Sequence, residues 1–144
     1  MENPEKILKI NKEIERGTPY IFEQAEAHYF MLIMPKEQTD VNFIKTLLSD
    51  YHSKQYSIET FEITATLFGQ DRHLIMIKTF ENSSLATDYY KDFSTASKVN
   101  NELSKTESQK LIISAQNFQH FFKYQDIERY YEFFINNYLA ELSN

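Results

Sequence analysis

Residues 28–34 read HYFMLIM, a run with no acidic or basic residue other than its opening histidine, and Pro35 closes it. The run is far short of the roughly 18–20 apolar residues that a membrane-spanning helix needs. It is also too short and too abruptly ended for a buried helix, so it predicts a strand whose two faces are both covered. A second such segment, His73 to Phe80, has few polar interruptions. A chain with two strands apolar on both sides must place a layer of structure on each side of its sheet. That requirement governs the reading of everything else.

Turn and cap residues divide the rest. Asn3-Pro4 opens a helix that Gly17 and Thr18-Pro19 close, with Ile7, Leu8, Ile10 and Ile14 near one side. Tyr20 to Ala27 is a connector. Asp40 caps a helix carrying Val41, Ile44, Leu47, Leu48 and Tyr51 as its apolar stripe. Ile58 to Leu67 alternates, Phe61, Ile63, Ala65 and Leu67 against Thr60, Glu62, Thr64 and Thr66, which is a half-exposed edge strand. Phe68 to Arg72 turns the chain into the His73–Phe80 strand. Asn82 or Ser83 then opens a helix bearing Leu85, Ala86, Tyr89, Tyr90 and Phe93; Ser97 to Gln109 reads as a polar loop, and Lys110 to Ala115 as the last strand. The order is β-α-β-β-α-β between two terminal helical segments. It predicts an α+β fold of the ferredoxin-like type, an antiparallel sheet with two helices on one face and the first and third strands inside. The expected organisation is an N-terminal helix and connector over residues 1–24 and one domain over residues 25–144.

The stretch NFQHFFKYQDIERYYEFFINNY, residues 117–138, holds nine Phe and Tyr side chains in twenty-two positions. Asn117 is placed to cap it, a break falls near Tyr124-Gln125, and a longer helix begins at Asp126 and runs to Leu142. On that helix the apolar residues sweep more than half the circumference, wider than an ordinary surface helix shows. Burial stabilises each such ring by about 1.5–3 kcal/mol, so nine represent more than ~13 kcal/mol. That is comparable with the ~5–15 kcal/mol net stability of a domain. The rings therefore pack on the sheet face opposite the internal helices, or on a partner. A phenol buries its ring while its hydroxyl stays wet, which suits an interface rim. Tyr124, Tyr130, Tyr131, Phe133 and Tyr138 are the candidate interaction residues.

Several chemistries are absent. The net charge of −6 lacks the basic footprint of a general nucleic-acid binder. With no cysteine, disulfides, thiolate metal sites and cysteine nucleophiles are excluded. His28, His52, His73 and His120 show no metal-ligand spacing. Two glycines, Gly17 and Gly69, leave no phosphate-cradling loop, and no GxSxG elbow occurs. The third strand reads DRHLIMIKTF, without the basic-Gly-aromatic signature of an RNA-recognition module. No catalytic, metal or cofactor-binding residue is expected, and no cofactor. The reading is a non-enzymatic protein–protein interaction domain. The alternative is a small-molecule-binding regulatory domain of the same topology, ACT-like, whose backbone-built site would leave little trace. The first residues lack the apolar core of a signal peptide, which leaves a cytoplasmic protein or a portion of a larger one.

The segments EAHYFMLIMP, DVNFIKTLLSDYHSKQY, IKTFENSSLATDYYKDF and LIISAQNFQHFFKYQDIERYYEFFINNY together resemble a bacterial family. It is the C-terminal domain of the tetratricopeptide-repeat gliding-motility and secretion lipoproteins of Bacteroidetes, the SprE/PorW group. The likeness spans residues 25 to 140 and rests on His28-Tyr29-Phe30, Phe80-Glu81-Asn82 with Ala86 and Tyr89-Tyr90, Ile113-Ser114, Asn117-Phe118, and Tyr130 with Phe133-Phe134 and Asn137-Tyr138. The resemblance implies an accessory role in type IX secretion and gliding, at the periplasmic side of the outer membrane. Expected partners are proteins of the cell envelope, or a second copy through the sheet or the C-terminal helix, with no nucleic acid and no direct insertion in the membrane. The chain departs from that family in carrying neither the lipoprotein signal nor the repeat array ahead of the domain.

Overall fold

The computed structural model describes residues 19–56, 61–139 and 142. The helix expected over residues 4–17 and the first residues of the strand expected from Ile58 lie outside them. The elements are β1 (His28–Pro35), α1 (Val41–Gln55), β2 (Glu62–Phe68), β3 (Arg72–Phe80), α2 (Ser83–Ser94), α3 (Ser97–Leu103), β4 (Gln109–Ser114), α4 (Ala115–Tyr124), α5 (Ile127–Phe134) and a π-helical turn (Ile135–Leu139). The fold is α+β, with one four-stranded antiparallel sheet of order β2-β3-β1-β4.

The two most apolar strands, β1 and β3, lie inside the sheet. Phe30 to Met34 and Leu74 to Ile77 are all buried. Residues directly opposed across a ladder point to the same face. Phe30, Ile77, Ile63 and Ile112 therefore share one face, with Leu32, Ile75, Ala65 and Lys110 in the next row. On that face the Phe30 ring meets Tyr89 at 5.0 Å and Phe93 at 4.8 Å, both on α2. The other face presents Met31, Ile33, Met76, Leu74 and Leu111. There α4 lies across the sheet, with Phe118 against Tyr29 at 5.8 Å and Phe121 stacked on Phe68 at 5.0 Å. The C-terminal segment supplies the second layer.

Local chemistry sets the boundaries. The Asp40 carboxylate accepts the Phe43 N–H at 3.1 Å and the Asn82 side chain accepts the Leu85 N–H at 3.0 Å, each filling an orphan donor of a first turn. Gly69 turns the β2–β3 hairpin at φ +68°, a backbone region that costs a side-chain-bearing residue energy. At the break between α4 and α5, Gln125 takes the left-handed conformation and donates its N–H to the Phe121 carbonyl at 2.7 Å. Asp126 then caps α5 through the Arg129 N–H.

Three expectations need correction. Residues 97–103 of the supposed polar loop form α3, because Val99 and Leu103, four apart, bury one side of a short helix. The Asn100 amide donates to the Phe93 carbonyl, which ties that helix to the end of α2, and to the carbonyl of its own N-cap residue Ala96. Asn117 is not a cap. Ser114 caps α4 by accepting the Asn117 N–H, and the buried Asn117 side chain is used elsewhere. The α-helical geometry after Asp126 ends at Phe134, and the chain continues as the π-helical turn.

Candidate interaction surface

Of the five candidate residues, three are interior. Tyr130, Phe133 and Tyr138 are buried within the domain, so they form no interface rim. The physical reason lies in what they touch. Tyr130 donates its hydroxyl to the Ile112 carbonyl of β4, which among the described residues is an edge strand with a ladder partner on one side alone. Burial drives the phenol well away from ionisation, with the neighbouring Tyr138 and Tyr20 adding to the effect. Its ring meets Tyr20 edge-on at 4.9 Å and Phe121 at 5.5 Å. Phe133 lies 5.7 Å from both Tyr20 and Tyr130.

Tyr138 reaches the first residue of β1. Its hydroxyl lies 2.8 Å from His28 Nε2, while His28 Nδ1 lies 2.7 Å from the Glu26 carbonyl. A carbonyl only accepts, so Nδ1 carries the proton. In the neutral ring Nε2 then accepts from the Tyr138 O–H. Burial lowers the His28 pKa, opposed by the Glu26 hydrogen bond, in keeping with a neutral ring. The connector is also built into the body: Tyr20 is fully buried, and the Asn117 amide accepts the Ile21 N–H at 3.1 Å and donates to the Ile21 carbonyl at 2.7 Å. One asparagine thus ties the start of the described chain to α4.

The outward side is different. Tyr131 is 41% exposed, and Ile135 and Leu139 follow it at intervals of four, 37% and 38% exposed. These three form a row on the flank next to that of Tyr130, Phe134 and Tyr138, about 100° round the helix from it. Glu128, Glu132 and Asn136, all exposed, form the adjoining polar row. Tyr131 stacks on buried Phe134 at 6.4 Å, which restrains its ring from below. Tyr124, 58% exposed at the end of α4, packs beside His120 at 4.4 Å and stands apart from the ring contacts of the other four. Ile135 and Leu139 were missed as surface residues because the apolar sweep of this helix is so wide that spacing alone does not tell which edge faces out.

The histidines do not converge. His52 is buried between α1 and α2, where its Nε2 lies 2.6 Å from the Tyr89 hydroxyl, and burial holds its pKa down to about 4. His28 is spoken for by Tyr138. Among the described residues no group of three His, Cys, Asp or Glu is arranged to hold a metal ion, and no helix is long and apolar enough to cross a membrane. Open hollows among the described residues include two at opposite places on the fold. One, of about 420 Å³, lies at the sheet end among Pro35, Asp71, Arg72 and Glu107; the other, of about 500 Å³, lies beside Asn82, Ser84 and Lys91 at the start of α2. No family model, curated protein or solved structure matches this chain.

Proposed function

We propose that the chain is a non-enzymatic protein–protein interaction domain whose docking ridge is the row Tyr131, Ile135 and Leu139. The observation that carries this reading is the division of the C-terminal segment into two sides. One is locked into the sheet by hydrogen-bonded tyrosines, and the other offers three large apolar side chains to solvent. A rigid mount with an apolar outer row presents a preformed contact, which lowers the ordering cost of binding. The acidic row beside it suits a partner that meets the ridge with an apolar groove and basic residues at its rim.

Two finer readings belong to the same proposal. The body is assigned to the ferredoxin-like class, supported by a β-α-β-β-α-β order with the short α3 added before β4, and by the central placing of β1 and β3. The likeness to the SprE/PorW group directs the search for the partner to type IX secretion and gliding components at the periplasmic side of the outer membrane. A photo-crosslinking amino acid at Ile135, in the protein expressed with its native neighbours, should trap a defined envelope protein. The paired change Tyr131→Ser and Leu139→Ser should abolish that product while thermal unfolding stays within a few degrees. An unchanged set of crosslinked proteins in the paired variant would refute the ridge.

A further inference from the structure

The two edges of the sheet are treated differently. β4 is covered, since Tyr130 of α5 reaches its Ile112 carbonyl. β2 is not: among the described residues no segment pairs with its outer edge. Its register with β3 runs without a bulge from Glu62 to Phe68. It holds neither the lysines nor the proline that edge strands use to resist pairing. Leu67, at 52% exposure, is the most open aliphatic side chain in the described sheet.

The order of residues along this edge answers the question of what it pairs with. From Ile63 to Leu67 the strand reads ITATL, which has the same pattern in both directions. In an antiparallel pairing of two copies about Ala65, Ile63 lies opposite Leu67 of the other copy, Thr64 opposite Thr66, and Ala65 opposite itself. Opposed residues share a face. The apolar Ile63–Leu67 pairs then extend the side covered by α1 and α2, and the Thr64–Thr66 pairs form the other side. Charge agrees with this register. Glu62 is the one ionisable residue of β2, and the two-fold places it opposite Phe68, with the two glutamates at opposite ends of the paired strands. Within β2 no like charges are brought together. A two-fold contact requires a surface complementary to itself, and the ITATL segment meets that condition.

We propose that β2 is a homodimerisation edge: two copies join antiparallel through β2, centred on Ala65, into one eight-stranded sheet. The inference rests on the sheet edge and is independent of the ridge reading. A single strand pair is small as interfaces go, so the dimer is a reversible one, filling between about 1 µM and 1 mM.

Sedimentation over that range should show the mass moving from one chain toward two. Lysine at both Thr64 and Thr66 places like charges opposite each other and should hold the protein monomeric at about 1 mM; glutamate at both should do the same. An equimolar mixture of the two variants should recover the dimer, since each cross pair is then oppositely charged. Circular dichroism confirms that the variants remain folded. The register has its own test, because the native chain has no cysteine. Oxidising a mixture of Thr64→Cys and Thr66→Cys proteins should favour the mixed disulfide over either self-disulfide. A folded protein that stays monomeric at 1 mM would overturn the proposal. So would a dimer indifferent to the paired charges, which would place self-association elsewhere, such as at Tyr131 and Leu139.

Discussion

Replacing Tyr130 by phenylalanine deletes one oxygen atom from the centre of the second layer. The side chain is fully buried and its hydroxyl donates to the Ile112 carbonyl. The ring contacts with Tyr20, Phe121 and Phe133 are kept. The change therefore isolates the hydrogen bond. A neutral hydrogen bond contributes about 0.5–1.5 kcal/mol net, and a buried acceptor left without its donor costs about 1–3 kcal/mol. The expected loss is about 1–2 kcal/mol. Tyr130→Ala removes the ring as well, and buried aromatic-to-alanine changes cost about 3–5 kcal/mol. Against a total of ~5–15 kcal/mol, the alanine variant approaches global unfolding. The assay is urea unfolding followed by circular dichroism. The phenylalanine variant should lower the midpoint with an unchanged slope, because the surface exposed on unfolding is the same. A phenylalanine variant within about 0.3 kcal/mol of the native protein, or an alanine variant losing less than about 1 kcal/mol, would show that this ring is not held as described.

Other consequences are checked the same way. His52 is neutral when buried, with its pKa held down to about 4 against 6.5 in the open chain. Between those values the unfolded state binds the extra proton, so stability is complete above pH 6.5 and falls as pH drops toward 4, by about 3 kcal/mol. Urea midpoints from pH 7 to pH 4 should show this loss, and a His52→Gln variant should show a flatter profile. Asn117→Ala breaks both hydrogen bonds to Ile21 and should cost about 1–3 kcal/mol, with limited proteolysis moving into residues 19–27. Asp40→Ala removes the cap of α1 and should cost about 1 kcal/mol, measured as a lowered midpoint. Tyr131→Ser, by contrast, changes an outward side chain and should alter stability by less than about 0.5 kcal/mol.

The sheet was legible because its signals are local and redundant. β1 is unbroken in apolar residues and stopped by a proline, β2 alternates, and Asp40 and Asn82 mark helix starts. What could not be read depends on contacts between distant parts of the chain. Asn117 has the right type and place for a cap, yet Ser114 lies three residues earlier and takes that role, freeing the amide for Ile21, 96 residues away in sequence. α3 escaped notice because seven residues with two buried side chains give too little period to separate a helix from a loop. The same limit acted on the candidate surface. Nine rings in the last stretch require burial as a group, but their inward edge is chosen by Ile112, His28 and Tyr20, none of them neighbours in sequence. Tyr130, Phe133 and Tyr138 thus moved from the surface to the core, while Tyr131 and Tyr124 stayed outside.

Amide hydrogen exchange in the native protein bears most directly on whether the C-terminal segment belongs to the core. The amides of Tyr130 through Tyr138 should exchange as slowly as those of Phe30 to Ile33 in β1, at the rate set by global unfolding. Exchange of that stretch on the timescale of fraying ends, while β1 remains protected, would contradict the account.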